Sequence, residues 1–129
     1  MMKHVLKTVL GLPFSLRQKR IARTRIPMTD SEFVHQIVKQ GGDRDAASAV
    51  WRKLKEWGYE DGFTPQPADS LSSVFGIAEE ELDEDLVLDI LKELNVSVPN
   101  REVVGAFGVI DTPLQVAKFV AHCRRVASK

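Results

Sequence analysis

Residues 78–99 read AEEELDEDLVLDILKELNVSVP, and this stretch decides the fold class. Leu82, Leu86, Ile90 and Leu94 recur every four residues, with Val87 and Leu91 widening the same stripe. That period belongs to an amphipathic helix and not to a strand, whose side chains alternate. Glu79, Glu80 and Glu81 fill the first turn, where the helix dipole favours negative charge. Asp83, Glu84, Asp85, Asp89 and Glu93 fall on the other face. The spacing predicts a helix over about 78–95, closed before Pro99, which removes a backbone donor.

Upstream, Thr29 or Asp30 caps a short helix with Phe33, Ile37 and Val38 on its apolar side, stopped by Gly41-Gly42. Asp43 or Asp45 then opens a helix over roughly 45–57, where Ala46, Val50, Leu54 and Trp57 form the stripe and Ala47 and Trp51 broaden it. Residues 58–68 carry Gly58, Gly62, Pro65 and Pro67 and read as a loop. Ser70–Phe75 reads as one or two helical turns ended by Gly76. Downstream, Thr112, Pro113 and Gln115 make a capping-box start with proline at the first helical position. Val116, Phe119, Val120 and Cys123 give that last helix its core side, and Arg124 and Arg125 suit its negative pole. Four or five helices, no strand and no repeat predict an all-α fold, a small antiparallel helical bundle.

The chain has 129 residues, enough for one domain with a modest core. A single cysteine, Cys123, excludes a disulfide framework and a cysteine-rich zinc site. Formal net charge is zero, from 18 basic and 18 acidic residues, yet the charges are segregated. Residues 1–27 hold seven basic residues and no acid, and residues 28–129 carry a balance of −7. Between Glu56 and Glu93 there are 12 acids and one base, Lys92. That field does not suit nucleic acid, whose phosphates require Lys and Arg, and it does suit a basic protein partner. The chain therefore divides into a basic arm, 1–27, and a helical domain, 28–129.

The arm contains Lys3, Lys7, Arg17, Lys19, Arg20, Arg23 and Arg25, with a short apolar stripe at Val5, Leu6, Val9 and Leu10. Acid-free segments of this kind serve as organellar presequences or membrane-surface anchors, with Arg17, Lys19, Arg20, Arg23 and Arg25 as the lipid-facing set. A disordered or adventitious tail is the first reading, ahead of the membrane-surface one, since Met28, which begins Met-Thr-Asp-Ser-Glu-Phe, offers a true translational start.

Taken in order, the helical pieces resemble the acyl carrier protein family. Phe75-Gly76 stands where the family has a Leu-Gly step. The acidic helix with Leu86, Ile90 and Leu94 resembles the family's second helix, and Val96-Ser97-Val98-Pro99 resembles its exit. Thr112-Pro113 with Val116 and Phe119 resembles the final helix. The resemblance spans about residues 45–123. It implies a bundle that presents its acidic second helix to basic patches on enzymes of fatty-acid or related acyl metabolism. It also implies a serine carrying 4′-phosphopantetheine just after the Leu-Gly step. Overlaid with one insertion, that serine falls within Glu79-Glu80-Glu81, and no serine occurs between Ser73 and Ser97. A literal Asp69-Ser70-Leu71 does occur, but Ser70 lies 29 residues before Pro99, longer than the family spacing. Ser70 is accordingly read as a helix cap, with attachment of the prosthetic group there as the alternative.

The expected function is a non-catalytic docking module without a cofactor, contacting its partner through Glu79, Glu80, Glu81, Asp83, Glu84, Asp85 and Asp89. Its rivals are a genuine carrier modified at Ser70 and a membrane-associated regulator using the arm. The expected location is cytoplasmic, with peripheral membrane contact as the variant. No metal-ligand spacing, phosphate loop or nucleophile elbow is present, so an independent enzyme is not expected. His122 and Cys123 are neighbours on a helix and point about 100° apart, which does not make a catalytic pair. Trp51, Trp57, Tyr59 and Phe63 are read as core packing and loop anchors, with a ligand cavity as the other reading.

Overall fold

The computed structural model describes residues 16, 18–21, 23, 25–57, 63–77, 86–97 and 109–127, and these residues are helical or irregular with no strand. Five helices are assigned: α1 (Asp30–Lys39), α2 (Arg44–Trp57), α3 (Leu71–Val74), α4 (Leu88–Glu93) and α5 (Pro113–Ala127). Residues 16 and 18–21 are helical as well. Helix α2 packs against both α1 and α5 and touches α4.

Helices α1, α2 and α5 begin where side chains satisfy backbone N–H groups that have no partner inside the helix. Thr29 caps α1, and Glu32 returns the bond to the Thr29 backbone N–H at 3.1 Å, completing a capping box. The carboxylate of Asp43 accepts from the Ala46 N–H at 2.9 Å and opens α2. At α5 the Gln115 side chain accepts from the backbone N–H groups of Asp111 (2.7 Å) and Thr112 (3.0 Å), and Thr112 Oγ1 accepts from Gln115 N–H.

The ends follow equally local rules. Gly41, just past α1, has φ +95°, and the N–H groups of Gly41 and Gly42 bond back to Val38 and Ile37. That is a Schellman closure, with glycine where a left-handed backbone is needed. Helix α4 closes the same way on Asn95 (φ 56°), with Asn95 N–H to the Lys92 carbonyl and Val96 N–H to the Leu91 carbonyl. Val96 and Leu91 are both buried, which supplies the apolar contact that accompanies this closure. Val87, immediately before α4, already has helical dihedrals and makes no side-chain cap. The helical path therefore includes residues before Leu88, and Leu86–Val87 form a wider turn within it. Residues 78–85 of the expected long helix lie outside the described residues.

Apolar positions read from periodicity lie in one core. Phe33, Ile37, Val50, Leu54, Leu86, Ile90, Val116, Phe119, Val120 and Cys123 are all buried. Trp51 is half-buried and packs on Phe33, ring centroids 5.2 Å apart. Phe63 is buried edge-on to Phe75 at 5.8 Å, the loop-anchor role expected of it. Tyr59 and the Trp57 side chain lie outside the described residues. Burial pushes the Cys123 thiol above its ordinary pKa, which disfavours the thiolate.

The α1–α2 joint is pinned against α5. Asp43 N–H bonds the Ala117 carbonyl at 3.0 Å. A Cβ at Gly42 would meet Ile37 Cγ2 at 2.4 Å and Ala117 Cβ at 3.0 Å. Gly42→Ala is therefore expected to lower stability by about 1–3 kcal/mol through overpacking, measured as an earlier midpoint in chemical denaturation with unchanged slope.

Candidate functional site

The Asp69-Ser70-Leu71 tripeptide sits at the centre of a polar joint linking three distant parts of the chain. Asp69 is buried, its side chain 6% exposed, and faces Arg25, whose side chain is 14% exposed. The guanidinium donates to both carboxylate oxygens, Nη2 to Oδ1 at 2.5 Å and Nη1 to Oδ2 at 3.0 Å. Such a two-toothed, charge-assisted pair fixes both partners in direction as well as distance. Nη1 also donates to the Thr64 carbonyl at 2.9 Å, and Asp69 Oδ2 accepts the Gln66 N–H at 2.8 Å. The guanidinium carbon lies 5.0 Å from the Phe63 ring centroid, within cation–π range.

Ser70 is engaged from the other side. Its Oγ accepts the Ser73 N–H at 3.2 Å, the cap of α3, and donates to Asp111 Oδ2 at 2.6 Å. Asp111 Oδ1 accepts the Ser72 N–H at 3.0 Å, and the Asp111 carbonyl accepts the Leu71 N–H at 2.6 Å. Leu71 itself is fully buried. The tripeptide thus spends its acid on the arm, its hydroxyl on the start of α5 and its leucine on the core.

This joint draws on the arm. The Arg25 side chain lies in the interior of the fold, held by Asp69 and the Thr64 carbonyl. Gln18 is fully buried, and its side-chain amide donates to the Val74 carbonyl at 3.0 Å. Ile21 and Met28 pack against the core, so the folded unit takes in residues on the arm side of the expected 27/28 division. Lys19, Arg20 and Arg23 are exposed, and Arg17 lies outside the described residues. Arg25 was not separable by sequence from its basic neighbours, because its partner lies 44 positions away with no local signal.

Of the acidic residues expected to meet a partner, Asp89 is described and exposed, 3.9 Å from Lys53 on α2. Glu93, next along the same helix, pairs with Arg52. Exposed pairs of this type are worth up to about 1 kcal/mol each and open readily to another cation. Glu79, Glu80, Glu81, Asp83, Glu84 and Asp85 lie outside the described residues.

On the outer side of α2, an open depression of about 540 Å³ is lined by Asp30, Ser48, Trp51, Arg52, Lys55 and Glu56. The Lys55 ammonium lies 5.9 Å from the Trp51 ring centroid. Among the described residues no cluster of three histidine, cysteine or acidic side chains could hold a metal ion, and no helix is long and apolar enough to cross a membrane. No protein-family model, curated protein or solved structure matches the chain.

The pair makes a quantitative prediction. Removing Arg25 leaves the Asp69 carboxylate buried without its cation, a loss of about 3–5 kcal/mol for pairs of this kind. Arg25→Ala and a chain beginning at Met28 should both melt well below the full chain, and by similar amounts if Arg25 dominates the arm's contribution. Calorimetry of the three proteins side by side measures it.

Proposed function

We propose that this chain is a non-catalytic, acyl-carrier-protein-like domain that docks a basic protein partner through its acidic stretch. The observation that carries the reading is the imbalance between Glu56 and Glu93, 12 acids against one base. The fold employs Asp69 internally, pairs Glu93 with Arg52 and sets Asp89 3.9 Å from Lys53. Residues 79–85 hold six further acids and no base. In a helical register Glu79 faces Asp83, Glu80 faces Glu84 and Glu81 faces Asp85. Each like-charge pair at that spacing costs a helix about 0.2–0.5 kcal/mol. A stretch that carries this cost gains from a cationic surface, which removes the repulsion and steers the encounter.

The engagement of Ser70 supports the reading without a prosthetic group. Its hydroxyl already serves a helix cap and a carboxylate, and a phosphodiester there would remove the proton that it donates to Asp111. It would also set a phosphate beside Asp111, like charge against like. The partner is expected among enzymes that already recognise acidic carriers, where a domain lacking the prosthetic arm would occupy the same surface.

Two outcomes follow. Incubation with coenzyme A and a promiscuous phosphopantetheinyl transferase should leave the mass of the protein unchanged; a gain that disappears in Ser70→Ala would establish a true carrier instead. In affinity capture followed by mass spectrometry, the retained partner should be basic and released by salt. Glu79→Lys combined with Glu84→Lys and Asp85→Lys should abolish its retention. Equal, salt-insensitive capture by that variant would sink the docking role.

A further inference from the structure

The stretch from Leu16 to Ile26 has two sides with opposite employment. Gln18, Ile21 and Arg25 recur at steps of three and four, and all three engage the body: Gln18 through the Val74 carbonyl, Ile21 through the core, Arg25 through Asp69. Leu16, Arg20 and Arg23 recur at steps of four and three and are exposed. Leu16 is 67% exposed and Ile26 is 85% exposed, both large apolar side chains left in water. The interior contacts hold the segment on the domain, and Leu16, Arg20, Arg23 and Ile26 are exposed along it.

We propose that this strip lays the domain on an anionic lipid surface. Bases interleaved with large apolar side chains match the interface of a bilayer, where ammonium and guanidinium groups meet lipid phosphates and carboxylates while the apolar tips enter the acyl boundary. The sequence before the strip continues the same composition, with Lys3 and Lys7 around Val5, Leu6, Val9 and Leu10 and no acid before Asp30. The body's opposing charge does not cancel the attraction. At physiological salt the screening length is about 8 Å, shorter than the roughly 13 Å radius of gyration of a domain this size. Acids beyond the near edge of the domain are therefore screened from the lipid. The proposal is independent of the acidic docking surface, which uses other residues.

Vesicle flotation of the full chain tests it. The protein should float with vesicles rich in phosphatidylserine, remain unbound with pure phosphatidylcholine, and be released by added salt. Arg20→Gln with Arg23→Gln should weaken partitioning about thirtyfold, from roughly fivefold per basic side chain. Arg20→Lys with Arg23→Lys should retain it, and all forms should share the wild-type melting midpoint, because both side chains are exposed. Absence of flotation overturns the proposal. So does equal binding to neutral vesicles, or a glutamine variant that floats like the wild type. Retention on duplex DNA without flotation would assign the strip to nucleic acid and overturn it as well.

Discussion

The guanidinium of Arg25 lies across both oxygens of Asp69 in a site nearly closed to water, and the arrangement of the domain depends on that pair. A buried carboxylate without a partner is expensive, so Asp69 fixes where the N-terminal segment must lie. Once Arg25 is seated, Gln18 and Ile21 are carried to the core seven and four residues upstream, and Met28 delivers the chain to the Thr29 cap of α1. The next residue after the acid, Ser70, ties α3 to Asp111 at the entrance of α5. The two ends of the described chain are thus secured on adjacent residues of one loop, although Arg25 and Asp111 are far apart in sequence.

What was legible in the sequence were features whose physics is local. The capping box at Thr112-Pro113-Gln115, the stop at Gly41-Gly42, the cap at Ser70 and the four-residue apolar periods need only neighbours within one or two turns. Arg25 was not legible, because one arginine among seven bases carries no mark of a partner 44 residues away. Asn95 was missed for a different reason. Asparagine tolerates the left-handed conformation but does not demand it, so its role appears only in the φ of 56° and the two returning N–H bonds. Of the candidate site, the segregation of charge was visible in the sequence, and the division of the arm into an inward and an outward side was not. That division depends on which residues reach the body, a question of tertiary distance.

The tripeptide Asp69-Ser70-Leu71 shows how far a short motif can be stretched. Aspartate and serine before a leucine satisfy the chemistry of a prosthetic-group site and equally that of a helix cap beside a core position. Here every atom that would make the motif reactive is already bonded. The acid holds a guanidinium, and the hydroxyl both caps α3 and binds a second carboxylate. Ser70 Oγ donates to Asp111 Oδ2 in a bond that helps hold α3 against α5, so loss of that bond would be felt first as loss of structure.

The zero net charge of the chain follows from this division of labour. Arg25 and Asp69 neutralise one another inside, and Arg52 and Lys53 meet Glu93 and Asp89 nearer the surface. Arg124 on α5 reaches Asp43 at 2.7 Å and Asp45 at 3.4 Å at the start of α2, where the helix dipole favours the acids and the arginine completes them. The Arg25–Asp69 pair takes one charge from each half, and the other pairs lie within residues 28–129, so most of the imbalance of each half remains. The acids in excess are concentrated at 79–85 and the bases in excess lie before residue 24. A chain that needed charge only for solubility would gain by mixing the signs, since interspersed charges avoid large single-sign fields. Segregation costs self-repulsion on each side, and contact with a surface of opposite charge relieves it. Under the two proposals above, the acidic stretch would find that relief on a cationic partner and the basic residues of the arm on anionic lipid.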